Sequence, residues 1–538
     1  MTGFVPPRDT SHMPWISERV EERQEKVVTA LRWALGGLSV FFILLFFYTA
    51  LRRLHYPFEL ERMESGVLTS AWRVAHGKPL YAQPSLEWAA YLYTPVYFYV
   101  SAAIMKLTGA GYQATRLVSV LSVAGLLATI YTFVFGEVRR HLPALAAAGL
   151  YAALYASLGC WYDLGRVDSL VTFLLIAALL ATRYLHPAVA AILWVAVFQT
   201  KQGFLPLPLV VFLFEWQRPR RMLVGMATYV ALAAGSIAWM QHVSHGWYSF
   251  YVFGVPTQLK FLWRSAVLYV PRDLLAVVGL AILLVIASAM LGQKTYFPVK
   301  NRKFCFYLLT SVLLYGLIGF VRSHGGASEN SLFPAYAWTA VLFGIALERL
   351  LRWSETLEHA RNQRFALIAV LLMACVQLTM HLYNPGDYIP YPGKLAARQA
   401  FLEQLRHAPG DVWVLTHSWD AVLTGKPLHP EMDAFDAVLV RPVNDQTRPV
   451  VEALRDAYAN QRLSAVIVDY DPLEYVKGTG FGTPLFRQHY GMHIRAEGSG
   501  SAHLEDQPRY ILAPCDADKL PGDPWHTRTA FIDRSGCK

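Results

Sequence analysis

Two acidic segments lie at the ends of long apolar stretches of this 538-residue chain, and their carboxylates are the first candidates for chemistry. The first acidic segment reads Pro57-Phe-Glu-Leu-Glu-Arg-Met-Glu-Ser-Gly66. Its Glu61 and Glu64 follow helical spacing, which predicts that both lie on one helix face. The second acidic segment, residues 161–169, carries Asp163 and Asp168. Carboxylates at a bilayer boundary are functional candidates by default, and such a group can remove the proton of an attacking hydroxyl.

Cationic and polar side chains are predicted at the same membrane surface, close to the ends of spans. A cation there can stabilise a phosphate that leaves, so the two signs together suit a reaction between a sugar acceptor and an anionic lipid-linked donor. The alternative is that each residue snorkels to the interface or caps a helix. The candidates are Arg166, Lys201, Arg322, His324, Gln202, Asn330 and Tyr93.

The composition predicts a polytopic α-helical membrane protein. The chain is 54% hydrophobic and 16% charged, against roughly 25% charged residues in soluble proteins. The net charge of +10 is spread over short basic clusters between apolar spans, as the positive-inside rule describes, and this argues against nucleic-acid binding. Residues 1–31 are predicted to be a cytoplasmic segment that precedes a retained signal anchor.

About eleven membrane spans are predicted from apolar runs of suitable length. With the N-terminus cytoplasmic, alternate loops are basic and the C-terminus is external. The stretch 93–106 is interpreted as an interfacial helix within one long external loop, residues 52–114, because counting it as a span would place the basic loops outside. The spans are near 32–51, 115–136, 142–160, 167–185, 187–203, 204–216, 222–243, 267–292, 304–322, 331–350 and 365–383.

Residues 384–538 are predicted to form a soluble α/β domain on the external, periplasmic side. Alternating apolar and polar residues predict strands at 411–416 and 464–469, and helical patterns cover 396–407 and 448–460. This domain also holds Cys515 and Cys537, which could form a disulfide in an oxidising compartment.

Several short motifs, in this order, resemble the GT-C superfamily of integral-membrane glycosyltransferases. The closest resemblance is to bacterial members related to lipid A aminoarabinose transferase and protein O-mannosyltransferases, and it covers residues 32–383. After the first acidic segment the motifs are Gly77-Lys-Pro-Leu-Tyr81, Tyr93-Thr-Pro-Val-Tyr97, Gly165-Arg-Val-Asp-Ser169, Thr200-Lys-Gln-Gly203 and Gly325-Gly-Ala-Ser-Glu-Asn330.

The resemblance implies inverting transfer of a sugar from a polyprenyl-phosphate donor to a lipid, glycan or protein acceptor, at the outer face of the bacterial inner membrane. It implies that Glu61 or Glu64 is the base. Aminoarabinose transferases have a Lys where this chain has Thr94, which leaves the sugar open. No cofactor is required, although a divalent cation would be possible. The implied remaining roles are a second acidic position for Asp163 and Asp168, donor-phosphate binding for Lys201, Arg322, Arg166 and His324, and substrate binding for Gln202, Asn330 and Tyr93.

Two other functions fit a polytopic chain of this kind. A transporter or flippase of lipid-linked saccharides would place charges near the bilayer midplane and contain inverted repeats, whereas these charges cluster at one surface. A non-catalytic envelope assembly protein would keep its function after carboxylate-to-amide changes.

Overall fold

The computed structural model describes residues 14–291, 302–439, 443–469, 490–494 and 510–514. Cys515 and Cys537 lie outside these residues, so their predicted disulfide stays a prediction. The α-helices are α1 Pro14–Leu54, α2 Met63–Ala75, α3 Val96–Thr108, α4 Tyr112–Val138, α5 His141–Ala153, α6 Val167–Tyr184, α7 Pro187–Phe198, α8 Leu207–Val211, α9 Pro219–Val243, α10 Trp247–Ser249, α11 Trp263–Leu268, α12 Ala276–Leu291, α13 Arg302–Arg322, α14 Phe333–Glu355, α15 Ala360–Thr379, α16 Pro392–His407, α17 Ser418–Thr424, α18 Met432–Leu439 and α19 Arg448–Ala459.

Short helical turns of other types connect several of these helices. Two are π-helical, a rare geometry often found at functional sites: Phe250–Gly254 and Tyr269–Leu275. The 3₁₀ turns are Ala156–Leu158, Gln202–Phe204, Phe212–Glu215, Pro256–Gln258, Glu329–Leu332 and Pro385–Asp387.

Each predicted span overlaps a helix, but only eight helices in the described part of the chain are long and apolar enough to cross a membrane. The segments predicted at 142–160, 187–203 and 204–216 contain only short helices, since α5 ends at Ala153, α7 at Phe198 and α8 at Val211. The eight are Glu21–Leu54, Tyr112–Val138, Val167–Tyr184, Pro219–Val243, Trp263–Leu291, Lys303–Arg322, Glu329–Glu355 and Ala360–Thr379.

Helix α14 is the central helix of the bundle. Most of its residues are buried, including the fully buried side chains Trp338 and Phe343. Apolar residues of α1, α4 and α5 belong to the same core, for example Phe42, Ile130 and Leu150. A helix that is apolar on all sides needs such surroundings, and this core holds the ends of the spans in fixed positions.

The predicted external loop, residues 52–114, contains the two helices α2 and α3. Helix α3, Val96–Thr108, has 13 residues and is about 20 Å long, shorter than the roughly 30 Å hydrocarbon layer. Its length agrees with the predicted interfacial helix. The predicted shared helix face of Glu61 and Glu64 is wrong, because α2 begins at Met63 and Glu61 precedes it.

The described residues between 392 and 514, which we call the C-terminal α/β unit, contain a four-stranded sheet in the order β1-β2-β4-β3. Strand β1 pairs parallel to β2, with Val412 opposite Ala465, and the other pairs are antiparallel. The structure confirms the two predicted strands and two predicted helices. The bounds are β1 Asp411–Val414, β2 Leu463–Val468, β3 Tyr490–Ile494 and β4 Tyr510–Pro514.

The C-terminal α/β unit packs directly on the 52–114 loop. Phe58 joins a core cluster with Phe401 and Leu405 of α16, and Tyr91 belongs to a second cluster that includes Trp413 of β1. These apolar contacts place the unit next to the first acidic segment.

Candidate functional site

Asp168 is the centre of a polar cluster at the N-terminus of α6. Its Oδ1 accepts from Lys201 Nζ at 2.8 Å and its Oδ2 from Asn330 Nδ2 at 2.9 Å. Arg166 Nε lies 3.5 Å from Oδ2. A carboxylate in the first turn of a helix is also stabilised by the helix dipole. The structure therefore brings together three of the predicted candidates around Asp168.

Arg166 joins this cluster to the first acidic segment. Its Nη1 lies 2.6 Å from Glu61 Oε2, and its guanidinium stacks 4.8 Å from the Trp161 ring centroid. The side chain of Glu61 is 15% exposed and that of Lys201 18%, so both are partly exposed, whereas Asp168 between them is buried. We call Glu61, Arg166, Asp168, Lys201 and Asn330 the Asp168 cluster.

The pKa of Glu61 depends on charged groups from three parts of the chain. Burial raises the pKa of Glu61, while the charges of Arg166 and Arg62 lower it and that of Asp433 raises it. The net direction is upward, which makes this carboxylate a stronger base than an ordinary glutamate.

Glu64 lies in a different environment, with both oxygens bound to Arg116. Arg116 Nη2 lies 2.7 Å from Oε2 and Arg116 Nε 2.9 Å from Oε1, and both side chains are fully buried. Oε1 also accepts from the Gly165 N–H at 2.6 Å. Burial raises the pKa of Glu64, but the Arg116 charge and hydrogen bonds bring it below its ordinary value. Glu64 therefore links α4 to the second acidic segment.

Gly165 is required for this close approach. A Cβ at this position would lie 2.5 Å from Thr115 Oγ1 and 3.4 Å from Glu64 Oε1. A side chain at residue 165 would therefore push the loop of Arg166 away from Glu64.

Asp163 is separate from the Asp168 cluster and is held by the end of α1. Arg53 Nη1 lies 3.3 Å from Asp163 Oδ1, and Tyr155 donates its hydroxyl to the same oxygen at 2.8 Å. Burial raises the pKa of Asp163, and the Arg53 charge opposes it. Asp163 is 1% exposed, so its contacts anchor the second acidic segment.

Arg322 and His324 belong to a neighbouring group at the end of α13. Arg322 Nε lies 3.0 Å from Asp273 Oδ2, and Arg322 Nη2 lies 3.4 Å from Glu329 Oε1. His324 Nδ1 contacts the Phe320 carbonyl at 2.8 Å. The turn Glu329–Leu332 connects the two groups, since Asn330 in that turn contacts Asp168.

Tyr93 and Gln202 lie close to the Asp168 cluster. Burial raises the pKa of Tyr93, the charge of Arg166 lowers it and that of Asp168 raises it, which places the ring beside the cluster. Gln202 donates from Nε2 to the Leu92 carbonyl at 2.5 Å. The predicted substrate-binding residues therefore lie near the predicted catalytic ones.

The C-terminal α/β unit adds carboxyls that sequence reasoning did not predict. Asp433 Oδ2 lies 3.3 Å from Arg62 Nε, next to Glu61. Glu431 Oε2 accepts from the Tyr91 hydroxyl at 2.6 Å. Burial and the charge of Asp433 raise the pKa of Glu431 well above its ordinary value. No sequence signal relates this region to the first acidic segment, because tertiary packing alone brings them together.

Arg53 and Arg116 were also missed as partners of the candidate carboxylates. A signal existed for Arg116, a charged residue at the start of an apolar span, where charges mark paired or functional positions. In the described part of the chain, no group of three or more His, Cys, Asp or Glu residues is arranged to hold a metal ion.

The fold is similar to that of ArnT from Cupriavidus metallidurans in two crystal structures, one bound to undecaprenyl phosphate and one in the apo state. Sequence identity is 14% to each, with TM-scores of 0.56 and 0.55. The matches cover 90% of this chain and 98% and 99% of the ArnT chains, respectively. No protein-family model and no curated protein sequence matches the chain.

Proposed function

Because this chain is a polytopic helical protein with the GT-C-type fold that ArnT also has, we propose that it is a membrane glycosyltransferase. It takes a sugar from a polyprenyl-phosphate donor and transfers it to a hydroxyl of a lipid, glycan or protein acceptor. The observation that carries the proposal is the Asp168 cluster, in which a partly exposed carboxylate, Glu61, and a partly exposed cation, Lys201, are joined through Arg166 and Asp168.

Glu61 is the proposed general base. It removes the proton of the acceptor hydroxyl while the oxygen attacks the anomeric carbon, and the bond from that carbon to the phosphate oxygen breaks. The products are the glycosylated acceptor and the polyprenyl phosphate, with inversion at the anomeric carbon. Glu61 is preferred to Glu64 because Glu64 is fully buried and bound by Arg116, whereas Glu61 is partly exposed and has a raised pKa.

Lys201 and Arg166 are the proposed contacts of the leaving phosphate. Charge-assisted hydrogen bonds to phosphate are among the strongest that side chains make. Asp168 orients both cations. These fixed charges stabilise the leaving group, so the proposed reaction requires no metal ion.

Arg322 keeps a proposed role in donor binding at the border of the cluster. Its partner Asp273 also contacts Arg272, with Nε and Oδ1 2.6 Å apart, so two guanidinium groups surround one carboxylate. His324 lies two positions after Arg322 in the chain.

The proposed location is the inner membrane of a bacterium, with the N-terminus cytoplasmic and the site and C-terminal α/β unit periplasmic. The distribution of basic loops supports this orientation. A lipid-linked donor suits that side because it carries its activation energy in the phosphate ester and requires no nucleotide.

The test is sugar transfer by the purified full-length protein in lipid nanodiscs. Undecaprenyl-phosphate hexoses and aminosugars are supplied as donors with envelope lipids and glycans as acceptors. Release of undecaprenyl phosphate and a matching mass increase of one acceptor are expected, and both should be absent with Glu61→Gln. If no donor is consumed and undecaprenyl phosphate does not bind, the proposed function is wrong.

A further inference from the structure

Glu59, in the first acidic segment, has its ion-pair partners in the C-terminal α/β unit. Arg398 Nη2 lies 2.9 Å from Glu59 Oε1, and His417 contacts the same oxygen through Nδ1. Glu59 is fully buried and lies only two positions before Glu61. The chain that carries the proposed base is therefore attached to another part of the fold.

His417 lies between two carboxylates. Its Nδ1 contacts Glu59, and its Nε2 lies 2.8 Å from Asp469 Oδ1. A neutral imidazole has one N–H donor and one acceptor, whereas the imidazolium donates from both nitrogens. With a carboxylate beside each nitrogen, the protonated ring is therefore favoured over the neutral one. Burial lowers the pKa of His417, but Asp469 and Asp420 raise it by more, so its net direction is upward.

The charges of the buried side chains around His417 are also balanced best when His417 is protonated. Arg398 Nη2 also lies 2.5 Å from Asp420 Oδ2. Three carboxylates, Glu59, Asp420 and Asp469, thus face one guanidinium and one imidazole, all almost completely buried. An uncompensated buried charge is strongly destabilising, so loss of the His417 proton would weaken the contact between the two regions.

A second contact holds the other end of the first acidic segment. Ser65 Oγ accepts the backbone N–H of Trp419 at 2.7 Å and lies 3.4 Å from Ser418 Oγ. The rings of Trp72 and Trp419 meet edge to face, with centroids 6.2 Å apart. Helix α17 is thereby docked on α2.

We propose that the C-terminal α/β unit positions the base of the transferase site, with His417 and Arg398 holding Glu59 while α17 holds α2. Glu61 lies between these two attachment points, so its distance to Arg166 and to the acceptor depends on docking of the unit. His417 and Arg398 are positioning residues that act through the backbone of the first acidic segment. This inference rests on the proposed function, in which Glu61 is the base.

Docking should consequently depend on pH. When the unit is docked, the pKa of His417 lies above the ordinary histidine value of about 6.5. The protonated His417 therefore stabilises docking fully below the ordinary pKa, and this stabilisation is lost as pH rises through the docked pKa. The charged and titratable groups that face it or share its carboxylate partners are Glu59, Asp469, Asp420, Arg398 of α16 and Tyr112 of α4, whose hydroxyl lies 3.3 Å from Glu59 Oε2.

The first measurement is hydrogen exchange of residues 418–424 in the full-length protein between about pH 6 and 9, a range around and above the ordinary histidine pKa, with each rate divided by its intrinsic value. Wild type should lose protection as pH rises, and His417→Gln should show low protection at every pH. If protection of residues 418–424 in wild type stays constant over this pH range, the inference is wrong. This measurement requires neither a substrate nor the His417→Gln variant.

The second measurement is rescue of turnover by a covalent bond across the interface. His417→Gln should lower kcat roughly 10- to 100-fold, as expected for a small misplacement of the base, with little change in donor affinity. A Ser65→Cys/Ser418→Cys disulfide, in a background with Cys515→Ser and Cys537→Ser, should restore kcat to His417→Gln but not to Glu61→Gln.

Full kcat in His417→Gln, or no rescue by the closed disulfide, would reject the positioning role. If wild type itself transfers no sugar, hydrogen exchange still decides whether His417 controls docking. Failure of the proposed function and failure of this inference are therefore distinguishable.

Discussion

Arg166 Nη1 and Glu61 Oε2 lie 2.6 Å apart although 105 positions separate the two residues. This ion pair connects the first acidic segment to the second, and Arg166 in turn contacts Asp168. A change in the position of either segment would therefore reach both the proposed base and the proposed phosphate contacts.

Glu61→Gln should abolish most transfer while leaving the protein stable. The amide keeps the size of the side chain but cannot accept the proton of the acceptor, and loss of a general base typically costs about 10²–10⁴-fold in rate. Single-turnover rates with bound donor, together with thermal unfolding in detergent, measure the two effects. Full turnover in this variant would refute the base assignment.

Glu64→Gln should reduce stability first. The buried Arg116 guanidinium would lose its carboxylate partner, and breaking a buried ion pair costs roughly 3–5 kcal/mol. We expect a lower unfolding temperature and less folded protein in membranes than for Glu61→Gln. A variant as stable as wild type but without turnover would instead indicate that Glu64 takes part in the reaction.

In a plot of kcat against pH, the fall in kcat at low pH should shift in opposite directions in two matched variants. The base must be ionised, so turnover falls as pH drops through the raised pKa of Glu61. Asp433 raises this pKa and Arg62 lowers it. Asp433→Asn should therefore move this fall to lower pH, and Arg62→Gln to higher pH, in kcat profiles. Shifts in the same direction would show that another group titrates.

Lys201→Ala should weaken donor binding more than acceptor binding. A charge-assisted hydrogen bond to phosphate contributes on the order of 1.5–3 kcal/mol, or roughly 10- to 150-fold in affinity. The loss of affinity is measured as binding of undecaprenyl phosphate to each variant in nanodiscs. Arg322→Ala, at the border of the Asp168 cluster, serves as the comparison. Unchanged affinity in both variants would exclude the phosphate site proposed here.

Cys515 and Cys537 should react with a membrane-impermeant maleimide from outside intact spheroplasts after mild reduction. The proposed orientation places the C-terminal α/β unit in the periplasm, where disulfides persist. Mass spectrometry of the labelled peptides identifies the sites. Labelling only after the membrane is opened would place this unit in the cytoplasm, reverse the loops, and contradict the external site.

The sequence alone determined the fold class and most local elements. Apolar run length predicted the helices of the bundle, and alternation of apolar and polar residues predicted β1 and β2, because both signals depend on neighbouring residues. The resemblance to GT-C proteins gave the fold that the comparison with ArnT supports. All five residues of the Asp168 cluster were also among the candidates, since charged and polar residues at span ends are rare enough to notice.

Only the tertiary structure decided which charges meet. Ion pairs form within about 4 Å, and hydropathy does not encode that geometry. Glu61 and Glu64 look equivalent in sequence, yet Glu61 is partly exposed and pairs with Arg166, whereas Glu64 is fully buried and pairs with Arg116. The structure also ended predicted spans early. Where α7 ends at Phe198, inside the predicted span 187–203, the Gln199 carbonyl accepts the Val96 N–H at 2.9 Å. Such long-range partners are absent from any local pattern.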